Sequence, residues 1–230
     1  MSRRSGGDKL HNRKKEKIKR DFNRNKSTLE KLDSVIMACE GIKTEYYYFS
    51  DFFKYLVKNH KISGLSLVIA DHKNTHPTGV LKDLTTYNKK GKTYKDFKFK
   101  WIVIDRDEEI TKGGGHTLQD YNDAISKAKQ LNIDVAYSNP SFEIWYLLHF
   151  QYRNTAIDRD SLETELKKLI NYDKTNEEMF ALLIDNQNTA IKNAERLTLK
   201  RRDKLEHCNP STSVYTLINF FNEYATKDNI

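Results

Sequence analysis

The chain has 230 residues, 37% hydrophobic, 11% aromatic and 31% charged, with a formal net charge of +8. That suffices for one large domain, or one domain with a small appendage, beneath a wet surface. No stretch approaches the roughly 18 to 20 consecutive apolar residues that a membrane-spanning helix needs. Cys39 and Cys208 are the only cysteines, too few for a disulfide framework or a Cys-based zinc site, and they fit a reducing cytoplasm.

The charge is uneven. Residues 1–31 carry twelve Lys or Arg against four acids, which equals the excess of the whole chain, so the remainder is formally neutral. This stretch has few apolar residues and no hydrophobic segment behind it, so it reads as a basic flexible arm and not a secretory signal. Such an arm can bind phosphates by counterion release, or simply keep the chain in solution.

A short buried strand is expected at Val35–Cys39, then a helix over Thr44–Asn59 with Tyr47, Tyr48, Phe52, Tyr55 and Leu56 at near-helical spacing. Gly41 would ease the turn between them. Leu65–Ala70 reads as a second strand. Pro77 can open a helix running through Leu81, Leu84 and Tyr87 until Gly91 stops it. Phe97–Ile104 is a third strand, Gly113-Gly114-Gly115 a flexible loop, and Thr117 the cap of a helix through Tyr121, Ile125 and Ala128. Val135–Tyr137 supplies a fourth strand. Unbroken apolar strands between amphipathic helices predict a mostly parallel sheet flanked by helices.

From Pro140 the pattern changes to an unusually apolar helix containing Phe142, Ile144, Trp145, Leu147, Leu148 and Phe150. Helical segments follow at about 160 to 171, 176 to 184, 187 to 204 and 211 to 223. The expected organisation is an arm at 1–31, an α/β domain at 32–150 and a helical region at 151–230 packed on it.

Two strings carry chemistry. Cys39-Glu40-Gly41 and Asp105-Arg106-Asp107-Glu108 each follow an apolar strand directly. Open parallel sheets build their sites at the carboxyl ends of the strands. If these two strands are neighbours, Glu40, Asp105 and Asp107 converge, with Asp105 and Asp107 aimed alike and Arg106 opposed. Hard oxygen donors so arranged suit Mg²⁺ or Mn²⁺ and metal-assisted phosphodiester chemistry, with Glu40 as proton acceptor or donor. The plainer reading is that acids commonly end strands and begin turns.

This arrangement resembles the Toprim fold of topoisomerases, primases and overcoming-lysogenization-defect nucleases. The whole chain resembles the RloB-like family of prokaryotic defence proteins more closely. The matching strings are Ala38-Cys39-Glu40-Gly41-x-Lys43-Thr44-Glu45 with Tyr48-Phe49, Asp105-Arg106-Asp107, Ser138 through Phe150, and Asn209-Pro210-Ser211-Thr212-Ser213-Val214. The resemblance implies a Toprim-like nuclease domain, restriction of phage or other foreign DNA, and often a separate ATPase partner. It leaves DNA or RNA open as the substrate.

Other residues carry competing readings. Lys43 would touch a substrate phosphate or be an ordinary solvated lysine. Thr44 could cap the first helix, with Glu45 favouring its dipole or adding to a second metal position. Pro140 suits a helix's first turn; Asn139 could cap that helix, and Glu143 is a further candidate metal or water ligand, since a buried carboxylate needs a partner. His149 reads as a satisfied core histidine, while His72 and His116 could enter the site from loops. Lys192, Arg196, Lys200 and Lys204 recur every four residues and would form a basic stripe for a nucleic-acid backbone, or a merely solvated face. The expected activity is a divalent-metal-dependent nuclease in the cytoplasm; a non-catalytic nucleic-acid-binding or regulatory subunit is the alternative. Monomer and homodimer are both open.

Overall fold

A computed structural model describes residues 33–60, 65–106, 116–199 and 208–227. The basic arm and the Gly113–Gly115 loop lie outside these. Five strands form one sheet: β1 (Asp33–Cys39), β2 (Leu65–Ile69), β5 (Phe99–Asp105), β6 (Asp134–Asn139) and β7 (Ser211–Thr212). Their spatial order is β2-β1-β5-β6-β7. All neighbours are parallel except the β6–β7 pair. The expected mostly parallel, helix-flanked α/β architecture is therefore what the chain adopts.

Alternation along each strand divides the core in two. Val35, Met37, Cys39, Trp101 and Val103 face one layer, which holds α1 (Thr44–His60), α4 (Glu143–Leu148), α5 (Arg159–Ile170), α6 (Met179–Leu183), α7 (Gln187–Leu199) and α8 (Val214–Lys227). Ile36, Ala38, Ile102 and Ile104 face the other, covered by α2 (Pro77–Thr85) and α3 (Leu118–Gln130). All six residues of α4 are buried, so this short apolar helix is the hub of the helical layer. Among the described residues, no helix is long and apolar enough to cross a membrane.

Several local expectations change. Helix α2 ends at Thr85, short of Tyr87, and Gly91 belongs instead to a two-residue hairpin joining β3 (Asn88–Lys89) and β4 (Lys92–Thr93). Lys90 and Gly91 both have positive φ, 52° and 73°, as a hairpin turn of matching twist requires. Thr117 caps α3 as anticipated, its Oγ1 accepting the Asp120 N–H at 3.0 Å. Residues 211–212 do not begin a helix. They pair with β6, Ser138 opposite Thr212 and Asn139 opposite Ser211, and α8 starts only at Val214.

The order of the strands reverses between β1 and β5. From β1 the chain passes first to β2 on one side, then to β5 and β6 on the other. Such a reversal opens a crevice at the carboxyl ends of the two central strands.

Candidate active site

Both acidic strings sit at that crevice. β1 and β5 are paired in register up to Cys39 opposite Val103. Beyond it the Glu40 N–H donates to the Val103 carbonyl at 3.0 Å. Glu40 Oε2 accepts the Asp105 N–H at 3.0 Å, so the two acids are fastened to one another across the strand ends. Asp105 is the last residue of β5 and only 4% exposed. Its Oδ2 lies 3.4 Å from an Arg159 terminal nitrogen, and its Oδ1 is buried with no hydrogen-bond partner among the described residues. Arg106 points the opposite way, its guanidinium over the Tyr121 ring at 5.7 Å. Asp107 lies outside the described residues.

Two further carboxylates line the same cleft. Glu45, in the first turn of α1, is buried, and its Oε1 accepts the Gly41 N–H at 3.1 Å. Thr44 is the first helical residue and not the cap, and Glu45 is turned back on the loop before the helix. At Gly41 a side chain would displace the Glu45 carboxylate, and the backbone angle does not itself call for glycine. A Cβ there would stand 1.7 Å from Glu45 Oε2, while its φ lies outside the left-handed region. Glu143 opens α4 and is held on both oxygens, by Ser141 Oγ at 2.6 Å and the Tyr172 hydroxyl at 2.8 Å. Pro140 and Asn139 precede α4 in β6 and its following bend, and neither caps it; residue Phe142 stands at that position.

The electrostatics follow from burial. Desolvation pushes the Asp105 carboxyl well above the usual range, and Glu45, Glu40 and Glu143 push it further. Burial, then the charge of Glu143, brings Glu45 up to about 7. Arg159 opposes both shifts. This is a cleft short of positive charge.

The cleft holds about 560 Å³ and is lined by the four carboxylates, by Lys43, Arg159 and Lys174, and by Phe142 and Thr75 among others. Among the described residues, Asp105 Oδ1 is a buried acceptor of this lining without a hydrogen-bond partner. Hard carboxylate oxygens beside a buried unpartnered acceptor match the needs of Mg²⁺ or Mn²⁺. Glu40 and Asp105 could hold such an ion, with Asp107 as the expected third donor. Among the described residues, no set of three His, Cys, Asp or Glu side chains is grouped tightly enough to hold a metal.

The histidines divide. His116 is 7% exposed, with Nδ1 3.7 Å from Glu40 Oε1, so it belongs to the cluster. Burial, and then Arg106, lowers its pKa, so at neutral pH it is a neutral neighbour and not an ion-pair partner. The His72 ring lies 3.3 Å from the Cys39 carbonyl at the same strand end. His149 is a core residue. Its Nδ1 donates to the Trp145 carbonyl at 2.8 Å, and burial lowers it to about 4. Cys39 is buried and its thiol pushed up by desolvation, hence inert.

Lys43 is exposed on the cleft rim. On α7, Lys192 and Arg196 are exposed, four residues apart, and Arg196 lies over the Tyr152 ring at 4.0 Å. Lys200 and Lys204 lie outside the described residues. Sequence reasoning missed Arg159, Tyr172 and Lys174. Each comes from the helical half, and no local pattern announces its return to the β1–β5 crevice.

A family model described as RloB-like protein matches residues 35–221. No curated protein and no solved structure matches the chain.

Proposed function

The chain belongs to the RloB-like protein family, and from that premise we propose that it is a divalent-metal-dependent nuclease of antiphage defence, hydrolysing phosphodiester bonds of DNA or RNA. The observation that carries this reading is the Glu40–Asp105 pair at the reversal point of the sheet, with Asp105 Oδ1 buried and without a hydrogen-bond partner among the described residues. Glu40, Asp105 and Asp107 would hold Mg²⁺ or Mn²⁺, which when bound polarises the scissile phosphate and stabilises the leaving oxygen.

The rest falls to the chain's own groups. Glu40 is tied to the Asp105 N–H through Oε2, and its Oε1, 3.7 Å from His116, would take a proton from water or return one. Glu143 is anchored by Ser141 and Tyr172, which fix its carboxyl group in the floor of the cleft. Lys43 meets substrate at the rim. Residues 1–31 and the basic face of α7 add affinity that weakens with salt. No phosphate-binding Gly-x-x-x-x-Gly-Lys-Ser/Thr string occurs in the chain, so an ATP-driven step would fall to a separate ATPase partner.

Incubation of the full chain with labelled plasmid, linear DNA and transfer RNA, with Mg²⁺ or Mn²⁺, tests this. Cleavage of one of these by the wild type, and its loss by at least 100-fold in Glu40→Gln, is expected for removal of a proton-transferring group. Undiminished cleavage by Glu40→Gln would show that Glu40 neither transfers the proton nor holds the metal.

A further inference from the structure

The helical half contributes two cations to a cleft whose floor is otherwise acidic. Arg159 opens α5, directly after its cap Asp158, and Lys174 lies in the loop beyond the same helix. Both line the cleft with Glu40, Asp105 and Glu143. A polyanion entering would meet four carboxylates, and without cations on the facing wall its phosphates would be repelled. Arg159 has the geometry to serve. Its side chain is 29% exposed, and a terminal nitrogen reaches to 3.4 Å of Asp105 Oδ2, which puts the guanidinium beside the strand-end acids. The Lys174 side chain is 54% exposed, with Nζ 4.0 Å from Glu163.

Resting on the nuclease reading above, we propose that Arg159 and Lys174 form the phosphate-binding wall of this cleft, with Arg159 gripping the scissile phosphate and Lys174 its neighbour along the strand. Arg159 presents a planar fork that pairs two phosphate oxygens at once, whereas Lys174 acts as a point charge. A purely structural Arg159 would only offset the charge of Asp105, and lysine would replace it without loss.

The test uses the full chain and a fluorescein-labelled single-stranded oligonucleotide. Binding is followed by anisotropy across a salt series in EDTA, so that no turnover enters. Thermal melting confirms that each variant is folded. Arg159→Ala and Lys174→Ala should each reduce the slope of log K against log salt by about 0.7, the value of one phosphate contact on a single strand. Arg159→Lys should keep the wild-type slope yet cleave at least tenfold more slowly with Mn²⁺, because charge is retained and the fork is lost. An unchanged slope in folded Arg159→Ala or Lys174→Ala overturns the wall, as does full cleavage by Arg159→Lys. Asp105→Asn serves as the separate control. Should it cut like the wild type, the nuclease reading fails, while the slopes measured in EDTA still decide the wall.

Discussion

Glu45 and Glu143 are both buried in the lining of the cleft, and the charge of Glu143 makes ionisation of Glu45 more costly. The Glu45 carboxyl titrates at about 7, against 4.5 for an unburied glutamate. Between those values the folded chain holds a proton that the unfolded chain has released, so stability falls as pH rises through this window and levels off above it. The full effect is on the order of 3 kcal/mol. Glu45→Gln keeps an acceptor for the Gly41 N–H and removes the charge. Its melting temperature should therefore vary less between pH 4.5 and 7 and exceed the wild type's above pH 7. Parallel profiles for the two proteins would show that the proton resides elsewhere in the cluster. The residues themselves were unequally legible. Glu40 and Asp105 stand out because each interrupts an apolar strand at its end. Glu45 looked like an ordinary first-turn acid because helix position encodes a dipole preference and says nothing of which wall the side chain meets. Arg159 was invisible for the same reason, being one of many basic residues on exposed helices.

At the scale of elements, long periodic segments declared themselves and short ones did not. The strands β1, β2, β5 and β6 are apolar runs, and their ends fell within two residues of expectation. β7 is two residues of Ser and Thr with no apolar signature; it exists because β6 offers a free edge and Ser213 Oγ accepts the Tyr137 N–H at 2.9 Å. That pairing sets Ser138 and Asn139 beside Thr212 and Ser211, two stretches far apart in the sequence. Helix α2 ends at Thr85, and Gly91 serves the hairpin turn beyond it, a use of glycine that periodicity alone does not separate from a helix stop. The basic face of α7 shows a further division of labour. Arg196 covers the Tyr152 ring, whereas Lys192 is simply exposed. Urea denaturation should find Arg196→Ala destabilised by about 0.5 to 1 kcal/mol through the lost stacking. Lys192→Ala should stay within about 0.5 kcal/mol of the wild type. Equal stabilities for the two would mean that the stack contributes nothing.

At the scale of the whole molecule, one topological fact organises the site. The reversal of strand order between β1 and β5 brings the ends of two separated segments together, and the chain places a carboxylate at each. Helices α1, α4 and α5 then add Glu45, Glu143 and Arg159 to the lining of the crevice. The parallel sheet was legible in the sequence because buried strands read as continuous apolar runs. Which strands are neighbours was not, since adjacency depends on crossover order and not on any local pattern. The proposed chemistry requires Glu40 and Asp105 to hold a divalent cation jointly, and a titration with Mn²⁺ followed by electron paramagnetic resonance reads this directly. The wild type is predicted to bind Mn²⁺ with an affinity that drops at least tenfold in Asp105→Asn and likewise in Glu40→Gln. Equal stoichiometry and affinity in all three proteins would contradict it.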